Sequence, residues 1–344
     1  FWIFVSRAKS FNLCITLLIL KRRLLSDLMF VIWNWFLMIL PFALWGTSMA
    51  AMAPLVNAAG PEIVASLRLL PAGLVVLASV PFLKRSWNIS KDDLVWFLVF
   101  TLIDATLFQI FLAKGLMETG AGLGSVLIDS QPLMVALLAR ILFGDAINPI
   151  GWIGLVLGLV GIICLGVPTE LLGNWFLLGN FESGSNFLSH GEVWMICAAT
   201  SMALGTVLIR FACRNSDPVA VTGWHMVLGS VPLIIWHVFD KNWPLFPDWS
   251  AFEWTLMSYS SLFGSALAYG LFFWFASRKE LTSFSTLAFL TPVFALITGG
   301  IWLGERLFLL QWIGVVLVLI SVLFVSQRRR FWGNKSDNEL IKEA

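Results

Sequence analysis

Charge is what this chain has least of. Only 12% of its 344 residues are charged, 20 acidic and 22 basic, against roughly a quarter in soluble domains. Long uncharged runs leave no room for a soluble domain, so the chain reads as a polytopic membrane protein. Its net charge of +2, spread over short clusters, offers no face for nucleic acid. Histidine is equally scarce: His190, His225 and His237 are scattered, and no metal spacing or Ser-His-Asp arrangement appears. The four cysteines (Cys14, Cys164, Cys197 and Cys213) have no ligand spacing and read as buried thiols acting as small hydrophobes. A P-loop is missing, which argues against ATP hydrolysis. Gly120, Gly122 and Gly124 lack the strand that a dinucleotide loop needs, and read instead as small residues at an outer turn. No cofactor is expected.

What the chain has in abundance is apolar length, 59% of its residues being hydrophobic, and one block written twice. Ser125 to Leu165 and Ser285 to Val325 align without gaps at an offset of 160 positions. Ser125 falls on Ser285, Pro132 on Pro292, Gly144-Asp145 on Gly304-Glu305, and Trp152-Ile153-Gly154 on Trp312-Ile313-Gly314. About a quarter of the positions are identical. Each copy holds two apolar runs joined by a polar hinge, a helical hairpin in lipid.

Ten spans of the length a membrane helix needs are expected near 30–53, 62–83, 94–115, 121–143, 150–168, 191–212, 219–239, 252–276, 281–303 and 308–327. Ahead of them, residues 1–28 form an extension of uncertain role, and residues 328–344 make a basic and polar tail. With the N-terminus inside, fourteen Lys and Arg lie at inner ends and three, Lys114, Lys241 and Arg306, at outer ends. That bias places both termini in the cytoplasm and the 169–190 connection outside. Five spans per half then turn the second half, 191–327, upside down relative to the first, 29–168. The expected fold is all-α, ten transmembrane helices as two inverted five-helix repeats. Such a plan places a binding site between the halves.

ALWGTSMAAMAPLV at 43–56, PEIVASLRLLPAGLVVL at 61–77 with its Arg68, the mid-helix Pro132, the Gly144-Asp145 hinge and the Gly-rich run 151–161 resemble the EamA branch of the drug/metabolite transporter superfamily. The second copy keeps Pro292, Gly304-Glu305-Arg306 and Trp312-Ile313-Gly314. The resemblance covers about residues 30–327. It implies a transporter of small organic metabolites or drugs working by alternating access, without naming a substrate. Two positions depart from the pattern. His225 stands near where the second half would carry a partner to Arg68, and Asp129-Ser130-Gln131 precedes Pro132 where small or apolar residues are usual.

Ionisable groups inside a bilayer are costly and so are candidates for function. Arg68, Asp104 and Asp129 are the three well away from loop ends. They read either as a polar lining, in which Arg68 meets an anionic group and an aspartate a substrate amine or a proton, or as a structural ion pair joining three helices. His225 is a helix-contact residue or a proton shuttle. Gln109, Gln131 and Tyr269 offer neutral hydrogen bonds to a solute or to one another. Trp45 and Trp224 are candidates to line a cavity. Asp145 and Glu305 read as helix caps, and Gly154 with Gly158 as a GxxxG packing face, inside the chain first and in a homodimer second. Expected partners are a small solute, protons and the lipid bilayer of the cell membrane, or of a plastid envelope if residues 1–28 are a targeting remnant. The competing class is a membrane-embedded enzyme or assembly factor without transport, for which reactive groups should cluster at one membrane face.

Overall fold

The computed structural model describes residues 2–145, 147–166, 190–240, 244, 246–294, 297 and 309–327. The 169–190 connection save His190, the Gly304-Glu305-Arg306 hinge, Lys241 and the 328–344 tail lie outside the described residues. Among the described residues there is no strand. The helices are α1 (Trp2–Ala59), α2 (Pro61–Phe82), α3 (Leu94–Phe100), a π-helical turn (Thr101–Leu107), α4 (Phe108–Ile128), α5 (Gln131–Phe143) and α6 (Pro149–Gly166). There follow α7 (His190–Ala212), α8 (Pro218–Phe239), α9 (Ala251–Ser261), a second π-helical turn (Leu262–Leu267), α10 (Ala268–Ala276), α11 (Leu281–Ser285), a 3₁₀ turn (Thr286–Leu290) and α12 (Leu309–Ser326).

Among the described residues six stretches are long and apolar enough to cross a bilayer: Val31–Ala59, Pro61–Phe82, Leu94–Thr119, Gly191–Ala212, Pro218–Phe239 and Ala251–Ala276. Four shorter apolar helices, Gln131–Phe143, Pro149–Cys164, Leu281–Phe294 and Trp312–Ser326, stand where the remaining four spans are expected. They carry large apolar side chains outward: Ile141 is 75% exposed and Trp312 55%, which suits lipid and would be costly in water.

Packing divides the chain into Phe1–Leu40 and Pro41–Ala344. In the first unit Trp33 stacks on Phe36 at 5.5 Å. In the second, Phe42, Trp45, Tyr269, Phe272 and Phe284 build a buried aromatic cluster with ring centroids 4.9–5.9 Å apart.

Two helix pairs relate the halves. On α6, a Cβ at Gly154 would meet Val325 at 2.7 Å and the Ser321 carbonyl at 3.2 Å, one at Gly158 would meet Ser321 Oγ at 2.6 Å, and one at Gly161 would meet Val318 at 2.8 Å. Partner numbers fall along α12 as they rise along α6, so the two helices run antiparallel. The same holds for α2 and α8, where Gly73 abuts Met226 and Gly223 abuts Leu77. The Gly154/Gly158 face is thus filled by α12 within the chain.

The expected end of the third span is corrected. Instead of turning near Gly120 to Gly124, the helix continues to Ile128 and the chain turns at Asp129-Ser130. Pro132 has no N–H to donate and disfavours helical geometry just before it, so the helix restarts beside it. The second copy breaks at the matching place, its 3₁₀ turn ending at Leu290, two residues before Pro292. Gly144, in the left-handed region at φ 67°, closes α5. Asp145 is not a cap. Its carboxylate accepts from the Thr282 hydroxyl at 3.1 Å, while Asn148 caps α6 by accepting from Gly151 N–H at 2.9 Å. The cysteine expectation is also softened: Cys164, Cys197 and Cys213 are unpaired and only partly buried. Burial nevertheless pushes the Cys213 thiol up, followed by the nearby Asp217 and Asp93, which keeps it protonated and unreactive.

Candidate functional site

Arg68 is 2% exposed on the second turn of α2, where its guanidinium crosses to the second π-helical turn. Nε donates to Ser265 Oγ at 2.8 Å, Nη2 to the Gly264 carbonyl at 3.2 Å, and Nη1 to Gln109 Oε1 at 3.3 Å. Gln109 Nε2 in turn donates to Tyr269 Oη at 2.9 Å. A π-helical turn widens the backbone and offers groups to side-chain partners, and here those groups hold Arg68. Gln109 and Tyr269 are 160 positions apart, the repeat offset, so residues at matching positions of the two copies touch.

Beside Arg68 and Tyr269 lies a cavity of about 40 Å³, room for on the order of three water molecules. Arg68, Tyr269, Trp45, Asp129, Gln131 and Thr291 supply its polar wall, with apolar faces from Met49, Phe108, Leu112 and Met202. Four of these polar residues present buried atoms without a hydrogen-bond partner: Trp45 Nε1, Asp129 Oδ2, Gln131 Oε1 and Thr291 Oγ1. Gln131 and Thr291 are themselves 160 positions apart. Among the described residues no carboxylate lies within 4.0 Å of Arg68, so the ion pair expected between it and an aspartate is not formed.

The other candidates sit elsewhere. Asp104, in the first π-helical turn, pairs with His225 of α8, Oδ2 to Nε2 at 3.2 Å. This contact is the counterpart of Arg68 on Gly264. Asp104 is 160 positions before Gly264, and His225 matches Arg68 once Pro61 is laid on Pro218. Trp224 is half-buried and donates to the Trp87 carbonyl at 3.1 Å, away from the cavity. Sequence reasoning named Arg68, Gln109, Gln131, Asp129, Trp45 and Tyr269, which the structure brings together, but missed Thr291 and Ser265. The repeat offset from Gln131 was the signal for Thr291. For Ser265 there was none, because a π-helical turn leaves no pattern in side-chain periodicity.

At the face bearing Lys84 and Arg85, loop residues of the halves are tied. Arg85 reaches Asp217 at 2.7 Å. The Asp93 carboxylate, 1% exposed, accepts from Asn215 N, Asn215 Nδ2 and Ser216 Oγ at 2.8, 3.2 and 2.7 Å. The Arg85 and Arg278 guanidiniums lie 4.0 and 3.2 Å from the centroid of the Trp274 ring, a cation–π arrangement. Replacing Asp93 with Ala strands these donors, and a loss of about 3 kcal/mol is expected from the hydrogen bonds to a charged acceptor. Thermal unfolding in detergent would register it, and an unchanged melting temperature would rule the contact out as a tie.

Among the described residues no group of three or more His, Cys, Asp or Glu is placed to hold a metal ion. The model of the EamA-like transporter family matches residues 32–167 and 189–327. A Synechocystis protein named as an uncharacterized transporter is 47% identical over 297 residues, 85% of this chain and 89% of its own. A chloroplastic WAT1-related protein of Arabidopsis thaliana is 42% identical over 301 residues, 85% of this chain and 69% of its own. The transporter YoaV of Bacillus subtilis, also described as uncharacterized, is 24% identical over 83% of this chain and 95% of its own. One crystal structure superposes with a TM-score of 0.69 over 87% of this chain and 98% of its own, at 17% identity, which marks a shared fold. With both halves matched by one family model and relatives of that similarity named as transporters, this membrane protein belongs to the EamA-like transporter family, within the drug/metabolite transporter superfamily.

Proposed function

We propose that the chain is a secondary transporter that exports small organic solutes by alternating access through the cavity at Arg68. One observation carries this: four buried, unpartnered polar atoms converge on that cavity. Buried polar groups are rarely left without partners, and four around one space form the hydrogen-bonding surface a solute would complete. Only about 40 Å³ is open, so a solute enters when the halves move. Antiparallel pairing of α2 with α8 and of α6 with α12 supports ten spans in two inverted repeats, 29–168 and 191–327. The excess of Lys and Arg at one face supports a multi-pass cell-membrane protein with both termini cytoplasmic, and the chloroplastic relative keeps the plastid envelope as the alternative.

The test is uptake of labelled amino acids, nucleobases and sugars into proteoliposomes, with parent and Asp129→Asn side by side. Saturable transport of one class is expected, weakened about tenfold or more in the variant, since a hydrogen bond to a charged group contributes about 1.5–3 kcal/mol. Equal transport by both proteins would remove Asp129 from the site. Absence of transport for every class by folded parent protein would favour the assembly-factor reading. Inside-out vesicles that accumulate the solute, where right-side-out ones do not, would establish export.

A further inference from the structure

The Asp104–His225 pair lies outside the cavity wall, and both side chains are at most 1% exposed. His225 Nδ1 is 2.5 Å from the Thr222 carbonyl oxygen, a group that only accepts, so Nδ1 carries a hydrogen. A neutral imidazole then presents a lone pair at Nε2. Facing it at 3.2 Å is Asp104 Oδ2, which in an ionised carboxylate also only accepts. The contact therefore requires a second proton, placed on Nε2 or on Oδ2.

We propose that Asp104 and His225 form a proton-binding site, distinct from the solute cavity, that takes up and releases one proton as the carrier alternates. With the proton the pair is neutral overall. Without it, the pair carries one negative charge, and a carboxylate faces a nitrogen lone pair. Among the described residues no Lys or Arg lies within 4.0 Å of Asp104 to relieve that state. Phe100 stacks on the imidazole at 4.5 Å and Phe273 meets it edge-on at 5.5 Å. Gly205 of α7 lies so close that a methyl group there would overlap the carboxylate, and Asp104 Oδ1 has no partner. An uncompensated buried charge is strongly unfavourable, so proton loss drives the first π-helical turn to open or shift. The charged and titratable groups about the pair are Tyr269 of α10, which interacts electrostatically with Asp104, and Arg68, which interacts with the same Tyr269.

The repeat gives the site its meaning. At matching places of the two halves, one holds a permanent cation, Arg68 on the Gly264 carbonyl. The other holds a cation that exists only with a proton. The assignment deepens the transporter reading, but it is tested without any solute.

Protein labelled with ¹⁵N-histidine, in lipid nanodiscs, would be followed by NMR across about pH 5 to about pH 8, the range over which a histidine ordinarily changes charge. The His225 signals are assigned by difference from His225→Gln. The expected result is one deprotonation step on His225 that vanishes in Asp104→Asn, because an amide cannot take the shared proton. An imidazole in one unchanging state across the range, or an identical step in Asp104→Asn, would overturn the proposal. Should that variant not fold, the parent's own titration decides. A proton step in protein that transports nothing would sustain this site and count against the transporter reading instead.

Discussion

Arg68→Met should leave the protein folded and stop its transport. The guanidinium is buried with three neutral acceptors and, among the described residues, no carboxylate in reach. A buried charge without a counter-charge is costly to take out of water, and an apolar side chain of similar length removes that cost. Gln109 still reaches Tyr269, while Ser265 Oγ and the Gly264 carbonyl lose the Arg68 donor. The melting temperature should therefore match or exceed that of the parent. Transport should fall about 100-fold, the equivalent of roughly 3 kcal/mol of lost binding. A variant that unfolds would recast Arg68 as a structural strut. One that folds and transports normally would move the solute site elsewhere.

Gly158→Leu carries the largest expected effect on stability. A single methyl at this position would overlap the Phe289 ring and sit 2.6 Å from Ser321 Oγ, and its neighbours Gly154 and Gly161 meet α12 as closely. Phe289 is fully buried and cannot swing aside. Overpacking a filled interface costs about 1–3 kcal/mol and can exceed that range, and here a whole isobutyl group must be placed. We expect the upper end or beyond, seen as a large drop in melting temperature and aggregation on gel filtration. Ile153→Leu, on the 51% exposed side of the same helix, should change nothing. Equal stability of Gly158→Leu and parent would mean that α6 and α12 do not pack along this face.

Much of this arrangement was written in the sequence because membrane helices advertise themselves by length and because the repeat is unusually literal. The offset of 160 places Gln109 on Tyr269, which bond to each other, and Gln131 on Thr291, which both line the cavity. Arg68 and His225 were harder to match, since the offset shifts to 157 between Pro61 and Pro218. Sequence placed His225 only near the position equivalent to Arg68, and the match is fixed when their partners, Gly264 and Asp104, are seen at equivalent π-helical turns. Electrostatics gave the other surprise. One of the two readings open in the sequence paired Arg68 with an aspartate, but packing gives Asp104 to His225 and leaves Asp129 lining the cavity. Partner choice is set by which helices cross, and a single chain of letters does not record that.

The tie at Asp93 has an energetic consequence. Two near-copies facing opposite ways would, if chemically alike, give a carrier two access states of equal energy. They are not alike: at the position matching Asp93, Glu253 instead accepts from Ser250 at the start of its own helix. If the Asp93 contacts are worth about 3 kcal/mol, fewer than roughly one molecule in a hundred would be open on that side at rest. The resting population would then be set by loop residues far from the solute, and the slow step of each cycle would be the breaking of a few hydrogen bonds at one membrane surface.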